Sequence, residues 1–176
     1  MAAPKEIIEL VEHFDRNRAE YESSHYNETQ ARREFIDPFF KALGWDIENQ
    51  EHRAERYKEV IHEDRIQVGG GTKAPDYSFR IGGLRRFFVE AKKPAVDIAA
   101  QSEPAYQLRR YAWSAKLPLS ILTNFKDFSV YDTQVGPRHT DKATALQNQI
   151  NNLVYELYGL TKDEIKLIEE SVNKAV

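Results

Sequence analysis

Three charged residues near the middle of the chain have types and spacing suited to phosphodiester chemistry: Asp76, Glu90 and Lys92. Asp76 follows Pro75 at the start of one predicted strand, and Glu90-Ala91-Lys92 closes the next. A hard divalent cation binds through oxygen and needs only one or two carboxylates, because waters and a phosphate oxygen complete its shell. We therefore predict that Asp76, Glu90 and the backbone carbonyl of Ala91 bind Mg²⁺, which Mn²⁺ could replace. Lys92 would hold or polarise the water that attacks phosphorus.

Whether the two carboxylates face each other depends on the hairpin that joins their strands. A two-residue loop at Gly82-Gly83 would place Asp76 opposite Val89 and turn it away from Glu90. A three-residue loop shifts the pairing by one and places Asp76 opposite Glu90. The metal site therefore predicts an odd loop or a β-bulge in this hairpin. The other interpretation is an edge strand with solvated charges.

Three segments have apolar residues at helical spacing: 5–22, 27–44 and 103–115. Asn27 is a good N-cap for the second helix, and Gln30 is placed to complete a capping box. Pro38 lies inside that helix, so we expect the helix to bend or to restart with Asp37 as a new cap. Positions 107 and 111 lie four residues apart in the third helix and therefore share a face.

Five segments have strand-like patterns: 58–68, 75–81, 84–92, 119–123 and 128–131. The glycine-rich stretch 69–73 is predicted to be a flexible loop beside Asp76. The order of the elements favours an α/β fold, with a mixed sheet of four or five strands flanked by helices. We expect this domain to cover residues 1–132, followed by a linker over 133–141 and a C-terminal helical hairpin over 142–176.

Composition excludes several classes of site. The chain has 176 residues, no cysteine and a formal net charge of −3. The lack of cysteine excludes disulfides, cysteine-ligated zinc, Fe–S clusters and a thiol nucleophile. No apolar run approaches the roughly 18 residues of a membrane span, and the N-terminus lacks a signal-peptide pattern. We therefore expect a cytoplasmic protein with no membrane contact.

Positive charge is concentrated in the middle of the chain, where residues 65–116 contain 10 Lys/Arg and 4 Asp/Glu between acidic flanks. This asymmetry suits a polyanion such as DNA, although an uneven solvated surface would produce the same pattern. If DNA binds here, the candidate phosphate contacts are Lys73, Arg85, Arg86, Lys93, Arg109 and Arg110.

Together these motifs resemble a known family. Pro75-Asp76 followed by Glu90-Ala91-Lys92 is similar to the PD-(D/E)xK nuclease superfamily. More narrowly, the chain resembles the N-terminal nuclease domain of type I restriction enzyme R subunits and of type IIG restriction-modification enzymes. The first helix motif over residues 27–45 and Gln107-Leu108-Arg109-Arg110-Tyr111, which is similar to a QxxxY motif, carry the rest of the likeness. It covers roughly residues 25–132.

The resemblance implies a restriction-endonuclease-like fold and Mg²⁺-dependent hydrolysis of DNA within a restriction-modification system. It implies that Glu28 supports the metal site, and that Gln107 and Tyr111 orient the active site or the DNA. Without it, Glu28 would only stabilise a helix N-terminus, and Tyr111 would belong to the core. The implied partners are DNA and separate motor, methyltransferase or specificity subunits. The alternatives are a catalytically silent DNA-binding or subunit-assembly module, and an interaction domain whose carboxylates are incidental.

Overall fold

The structure is a computed structural model, and it describes residues 3–100 and 102–133. The helices are α1 (Lys5–Arg16), α2 (Arg18–Tyr21), α3 (Glu28–Ala31), α4 (Asp37–Ala42) and α5 (Ser102–Ser114), with a π-helical turn over Arg32–Ile36 and a 3₁₀ turn over Glu55–Tyr57. The strands are β1 (Val60–His62), β2 (Ile66–Val68), β3 (Gly71–Lys73), β4 (Tyr77–Ile81), β5 (Leu84–Ala91), β6 (Leu119–Thr123) and β7 (Phe128–Asp132). The predicted hairpin over 142–176, and the predicted linker beyond its first residue, lie outside the described residues.

Five strands form one mixed sheet in the order β1-β4-β5-β6-β7, and β2 pairs with β3 separately. Among the strands of residues 3–100 and 102–133, β5 and β6 are the one parallel pair, and α5 lies between them in the chain. All the other pairs are antiparallel. The expected α/β architecture with a sheet of four or five strands is confirmed. None of the helices in residues 3–100 and 102–133 is long and apolar enough to cross a lipid bilayer.

Helices cover both faces of the sheet. Successive side chains of β5 point to opposite faces, and each face packs against a different helical segment. Val89 is buried in a cluster with Phe35 and Phe40 from the N-terminal helical segment. Its neighbour Phe88 is buried in a second cluster with Leu108 of α5. Both β5 residues are 0% exposed, so β5 is the central strand that its run of apolar residues predicts.

Several predicted elements differ from the structure because of local backbone geometry. The helix expected over 5–22 is interrupted at Asn17, and the strand expected over 58–68 divides around Glu63, which has a φ of 53°. The glycine-rich stretch 69–73 is not a loop. Gly69 and Gly70 both have positive φ, which suits the tight turn of the β2–β3 hairpin.

The second helix keeps its predicted start but not its predicted restart. Asn27 and Gln30 form the expected capping box, with N–O distances of 2.9 and 3.0 Å. Asp37 does not cap a new helix, because the chain passes through the π-helical turn directly into α4. Pro38 has no N–H to donate to the preceding turn, and a wider turn accommodates that loss. The Asp37 carboxylate instead accepts a hydrogen bond from the Tyr77 hydroxyl at 2.7 Å.

Asp64, in the turn after β1, is the acceptor of a buried ion-pair network. Its carboxylate accepts hydrogen bonds from Arg80 Nη2 at 2.6 Å and from Arg85 Nε and Nη2 at 2.7 and 2.8 Å. Burial alone would raise the pKa of Asp64, but the hydrogen bonds from the two arginines outweigh it and lower the pKa to about 2. The ionised carboxylate therefore stabilises the fold.

We expect Asp64→Asn to lower the free energy of unfolding by about 2 kcal/mol at pH 7, because two arginines lose their anionic partner. In the wild type the same contribution is present above pH 3.8 and is lost as the pH falls through about 2. Urea denaturation at several pH values measures both effects. The exposed Asp15 pairs with Arg18 at the surface, so Asp15→Asn is the control and should change the stability by less than about 0.5 kcal/mol. Equal urea midpoints for the two variants would contradict this role of Asp64.

Candidate active site

The β4–β5 hairpin has the irregular register that a shared carboxylate site requires. Its loop contains only two glycines, both with positive φ, but the strand pairing skips Arg86 and forms a β-bulge there. Beyond the bulge Tyr77 pairs with Val89, so the next position along the ladder brings Asp76 level with Glu90. The predicted bulge is confirmed, and it allows a two-residue loop to place both carboxylates on one face.

Asp76 precedes β4 and is held by two donors. Its Oδ2 accepts a hydrogen bond from the backbone N–H of Ala91 at 2.8 Å. Its Oδ1 accepts one from Arg32 Nη1 at 3.1 Å, and the Asp76 side chain is 16% exposed. The carboxylate is thus fixed against the end of β5 from one side and against the N-terminal helical segment from the other.

Lys92 joins the remaining acidic residues into one cluster. Its Nζ donates to Glu90 Oε1 at 3.1 Å, to the Ala91 carbonyl at 2.8 Å and to Glu28 Oε2 at 3.4 Å. Glu28 reaches it as the first residue of α3. Burial would lower the pKa of Lys92, but the charges of Glu90 and Glu28 outweigh it and raise that pKa. These neighbours favour the protonated form of Lys92, which donates hydrogen bonds and supplies positive charge.

Glu90 carries an unsatisfied atom. Its side chain is 19% exposed, and its Oε2 is buried without a hydrogen-bond partner. Burial and the negative charge of Asp76 raise the pKa of Glu90, although Lys92 opposes this shift. A buried carboxylate oxygen with no partner, close to a second carboxylate, is an environment that a cation would stabilise.

The donor set fits a small cation that prefers oxygen. Asp76 and Glu90 supply carboxylates, and Ala91 supplies a backbone carbonyl beside them. Over residues 3–100 and 102–133 no three histidine, aspartate or glutamate side chains converge as a complete metal cluster. Two carboxylates and a carbonyl suit Mg²⁺ or Mn²⁺, because these ions keep several waters and also accept a phosphate oxygen.

The two residues of the QxxxY motif differ in their surroundings. Gln107 is exposed on α5, and its amide contacts Glu103 at 3.5 Å, so the structure does not bring it to Lys92. Tyr111 is partly buried, and burial together with the charge of Glu90 raises its pKa. Tyr111 packs against the apolar cluster that contains Phe88 and Leu108.

The predicted phosphate contacts also differ from one another. Arg85 is held by Asp64 in the buried network, so its charge is engaged within the fold. Arg110 is exposed, with its guanidinium over the Tyr106 ring at 6.0 Å. Of the other candidates, Lys73 and Arg86 are exposed. Lys93 and Arg109 have intermediate exposure.

Sequence reasoning missed Arg32, which contacts Asp76 directly. Arg32 lies four residues after Glu28, and residues at this spacing share one face of a helix. Each of the two contacts one end of the cluster, Glu28 through Lys92 and Arg32 through Asp76. The four-residue spacing from Glu28 was therefore the sequence signal that could have identified Arg32 as a site residue.

The chain is also similar in sequence to known proteins. Residues 25–139 match a family described as the type I restriction enzyme R protein N terminus. Over 138 residues the chain is 42% identical to the type II restriction enzyme and methyltransferase RM.Eco57I of Escherichia coli. That alignment covers 77% of this chain but only 14% of the relative, so the chain spans a small part of that protein's length.

Proposed function

Because this chain belongs to the family of the type I restriction enzyme R protein N terminus, we propose that it is the DNA-cleaving domain of a restriction-modification system. In this proposal it hydrolyses phosphodiester bonds in DNA and uses Mg²⁺, for which Mn²⁺ can substitute. One observation supports it above all. Asp76 lies just before β4, and Glu90 and Lys92 lie at the end of the adjacent strand β5. Lys92 donates to Glu90 and Glu28, and the Ala91 amide between Glu90 and Lys92 donates to Asp76.

The residues of the cluster have distinct roles in the proposed reaction. Asp76, Glu90 and the Ala91 carbonyl hold the divalent cation, which supplies Lewis-acid stabilisation of charge on the phosphoryl oxygens. Protonated Lys92 would orient the attacking water by a hydrogen bond once the water replaces one of the three present acceptors of Nζ, and it would neutralise charge that develops in the transition state. Glu28 holds the Lys92 ammonium group in place, since its Oε2 lies 3.4 Å from Nζ.

DNA would approach over exposed basic residues of the segment 65–116. We propose that Lys73, Arg86 and Arg110 bind phosphates, because all three are exposed. Such contacts set affinity and its salt dependence but not sequence preference. In this proposal Tyr111 orients the site or the DNA, and Gln107 contributes when the DNA draws it inward. Since the relative is named as both a restriction enzyme and a methyltransferase, we also propose that methyltransferase, motor or specificity parts act together with this domain.

Supercoiled plasmid nicking tests the proposal. We expect wild-type protein to nick the plasmid with Mg²⁺ or Mn²⁺ but not with EDTA. Asp76→Asn should lower the rate at least about 100-fold, because it removes a metal-binding charge, and DNA affinity should change little. Asp15→Asn is an isosteric control at the surface and should cleave like the wild type. Equal rates for the two variants would place the active site elsewhere.

One observation favours a second function, a catalytically silent DNA-binding or assembly module. Both oxygens of Asp76 and the Ala91 carbonyl already accept hydrogen bonds from protein donors. The cluster could therefore be a structural charge network. DNA binding at low salt, without metal-dependent cleavage even when a methyltransferase partner is supplied, would support this function over hydrolysis.

A further inference from the structure

Arg32 is the cation that contacts Asp76, and its side chain is only 18% exposed. Its guanidinium makes more than one contact at once. Nη1 donates to Asp76 Oδ1 at 3.1 Å, and Nε donates to the Tyr77 hydroxyl at 3.3 Å. The planar guanidinium presents donors in fixed directions, which a lysine ammonium cannot reproduce.

The guanidinium is itself held on several sides. It lies over the Tyr77 ring, with 4.9 Å between Cζ and the ring centroid, and the Tyr77 hydroxyl donates to Asp37 at 2.7 Å. Nη2 lies 3.4 Å from Nδ1 of His62, whose Nε2 lies 3.3 Å from the Ile47 carbonyl. A neutral imidazole with its proton on Nε2 satisfies both contacts, since Nδ1 then accepts from Arg32. These partners leave Arg32 little freedom to move.

The same helical segment therefore controls both ends of the cluster. Glu28 accepts from Lys92, and Arg32, one turn later, donates to Asp76. Arg32 is also the first residue of the π-helical turn, which forms where Pro38 removes a backbone donor. Single π-helical turns of this kind occur often at functional sites.

From this geometry we infer that Arg32 is a positioning residue for the cation site: it holds Asp76 in the orientation that binds the divalent ion. This inference rests on the proposed function. The other role open to Arg32 is that of a competing cation, which neutralises Asp76 and weakens ion binding. The two roles predict changes of opposite sign in the cation affinity when Arg32 is replaced by a neutral residue. By Coulomb's law alone, removing a positive charge beside the site would strengthen cation binding, whereas loss of positioning weakens it.

The first experiment uses metal-free protein and does not depend on the proposed function. The Ala91 amide donates to Asp76 Oδ2, so its hydrogen exchange reports how firmly Asp76 is held. We expect Arg32→Met to speed exchange of this amide at least about tenfold, whereas Arg33→Met should leave it unchanged. Arg33 is the adjacent arginine and is exposed, so it is a matched control. Unchanged Ala91 exchange in Arg32→Met would overturn the inference.

The second experiment titrates Mn²⁺ into the protein without DNA and measures the dissociation constant. We expect Arg32→Met and Arg32→Lys to weaken Mn²⁺ binding about tenfold, the size typical of residues that orient metal ligands. Arg32→Lys keeps the positive charge but loses the planar guanidinium with its fixed donor directions, so it remains informative if Arg32→Met does not fold. Tyr77→Phe removes the hydroxyl that anchors Arg32, and it should weaken binding less, by about threefold. Arg33→Met should match the wild type.

Two results would contradict the inference in different ways. Tighter Mn²⁺ binding by Arg32→Met would assign Arg32 the competing role, and equal binding would show that Arg32 has neither role; both results leave the proposed function intact. Wild-type protein that neither binds Mn²⁺ nor cleaves DNA would overturn the proposed function and the inference with it. In cleavage assays the positioning role further predicts that kcat falls while KM for DNA is unchanged.

Discussion

Lys92→Ala should abolish DNA cleavage, with a loss of about 1000-fold or more, and leave the protein folded. The expected loss is large because Lys92 donates the only ammonium hydrogen bonds in the described part of the cluster, to Glu90, Ala91 and Glu28. A preorganised positive charge near the developing phosphoryl charge has effects of this size. The side chain is 20% exposed, so water can reach the partners that it leaves. Plasmid nicking with Mg²⁺ measures the rate, and circular dichroism verifies the fold.

Lys41 provides the control for this variant. It lies on α4 and forms an exposed ion pair with Glu48, so Lys41→Ala should cleave like the wild type. Lys92→Ala should still bind Mn²⁺ in a titration without DNA, because Asp76 and Glu90 remain. Wild-type turnover by Lys92→Ala would rule out the assigned active site. Loss of Mn²⁺ binding in the same variant would instead show that Lys92 acts by holding the carboxylates.

Glu90→Gln should have two opposite effects. It should abolish cleavage and Mg²⁺ binding, because a neutral amide replaces a metal-binding carboxylate. It should also raise the melting temperature of the metal-free protein. Burial and the negative charge of Asp76 raise the pKa of Glu90, so ionised Glu90 destabilises the fold at neutral pH. A site whose charges are retained at the expense of stability is expected where those charges serve function.

The pH dependence gives the sign of this second effect. Since the folded pKa of Glu90 lies above the ordinary value of 4.5, the folded state binds more protons, and its stability falls as the pH rises above 4.5. In EDTA, the stability of Glu90→Gln relative to the wild type should therefore increase between pH 4.5 and neutrality, as measured by urea midpoints. With Mg²⁺ at about ten times its Kd, the free energy of unfolding of the wild type should rise by about 1.4 kcal/mol, and that of the variant should not change. Glu9→Gln changes an exposed residue and serves as the control. Lower stability of Glu90→Gln than of the wild type in EDTA at pH 7.5 would contradict this account.

The residues of the site differ in how far the chain order predicted them. Glu90 and Lys92 lie two positions apart on one strand, so strand alternation alone places them on one face. Placing Asp76 required a choice between two registers of the β4–β5 hairpin, and the glycines of its loop permit either register. Arg32 was not recognised as a site residue, because its partner Asp76 is 44 positions away and the local signal was limited to its spacing of four residues from Glu28.

Local chemistry was enough to predict the mixed sheet, the central strand β5 and the capping box at Asn27. These features depend on side-chain periodicity and on contacts within a few residues. Tertiary packing decided the rest. The bulge at Arg86 satisfies both the tight turn and the pairing of β4 with β5. Glu28 meets Lys92 across 64 positions because the packing of the N-terminal helical segment against the sheet brings the start of α3 to the end of β5. Contacts between residues so distant in the chain are set by the core as a whole, because no short segment contains both partners.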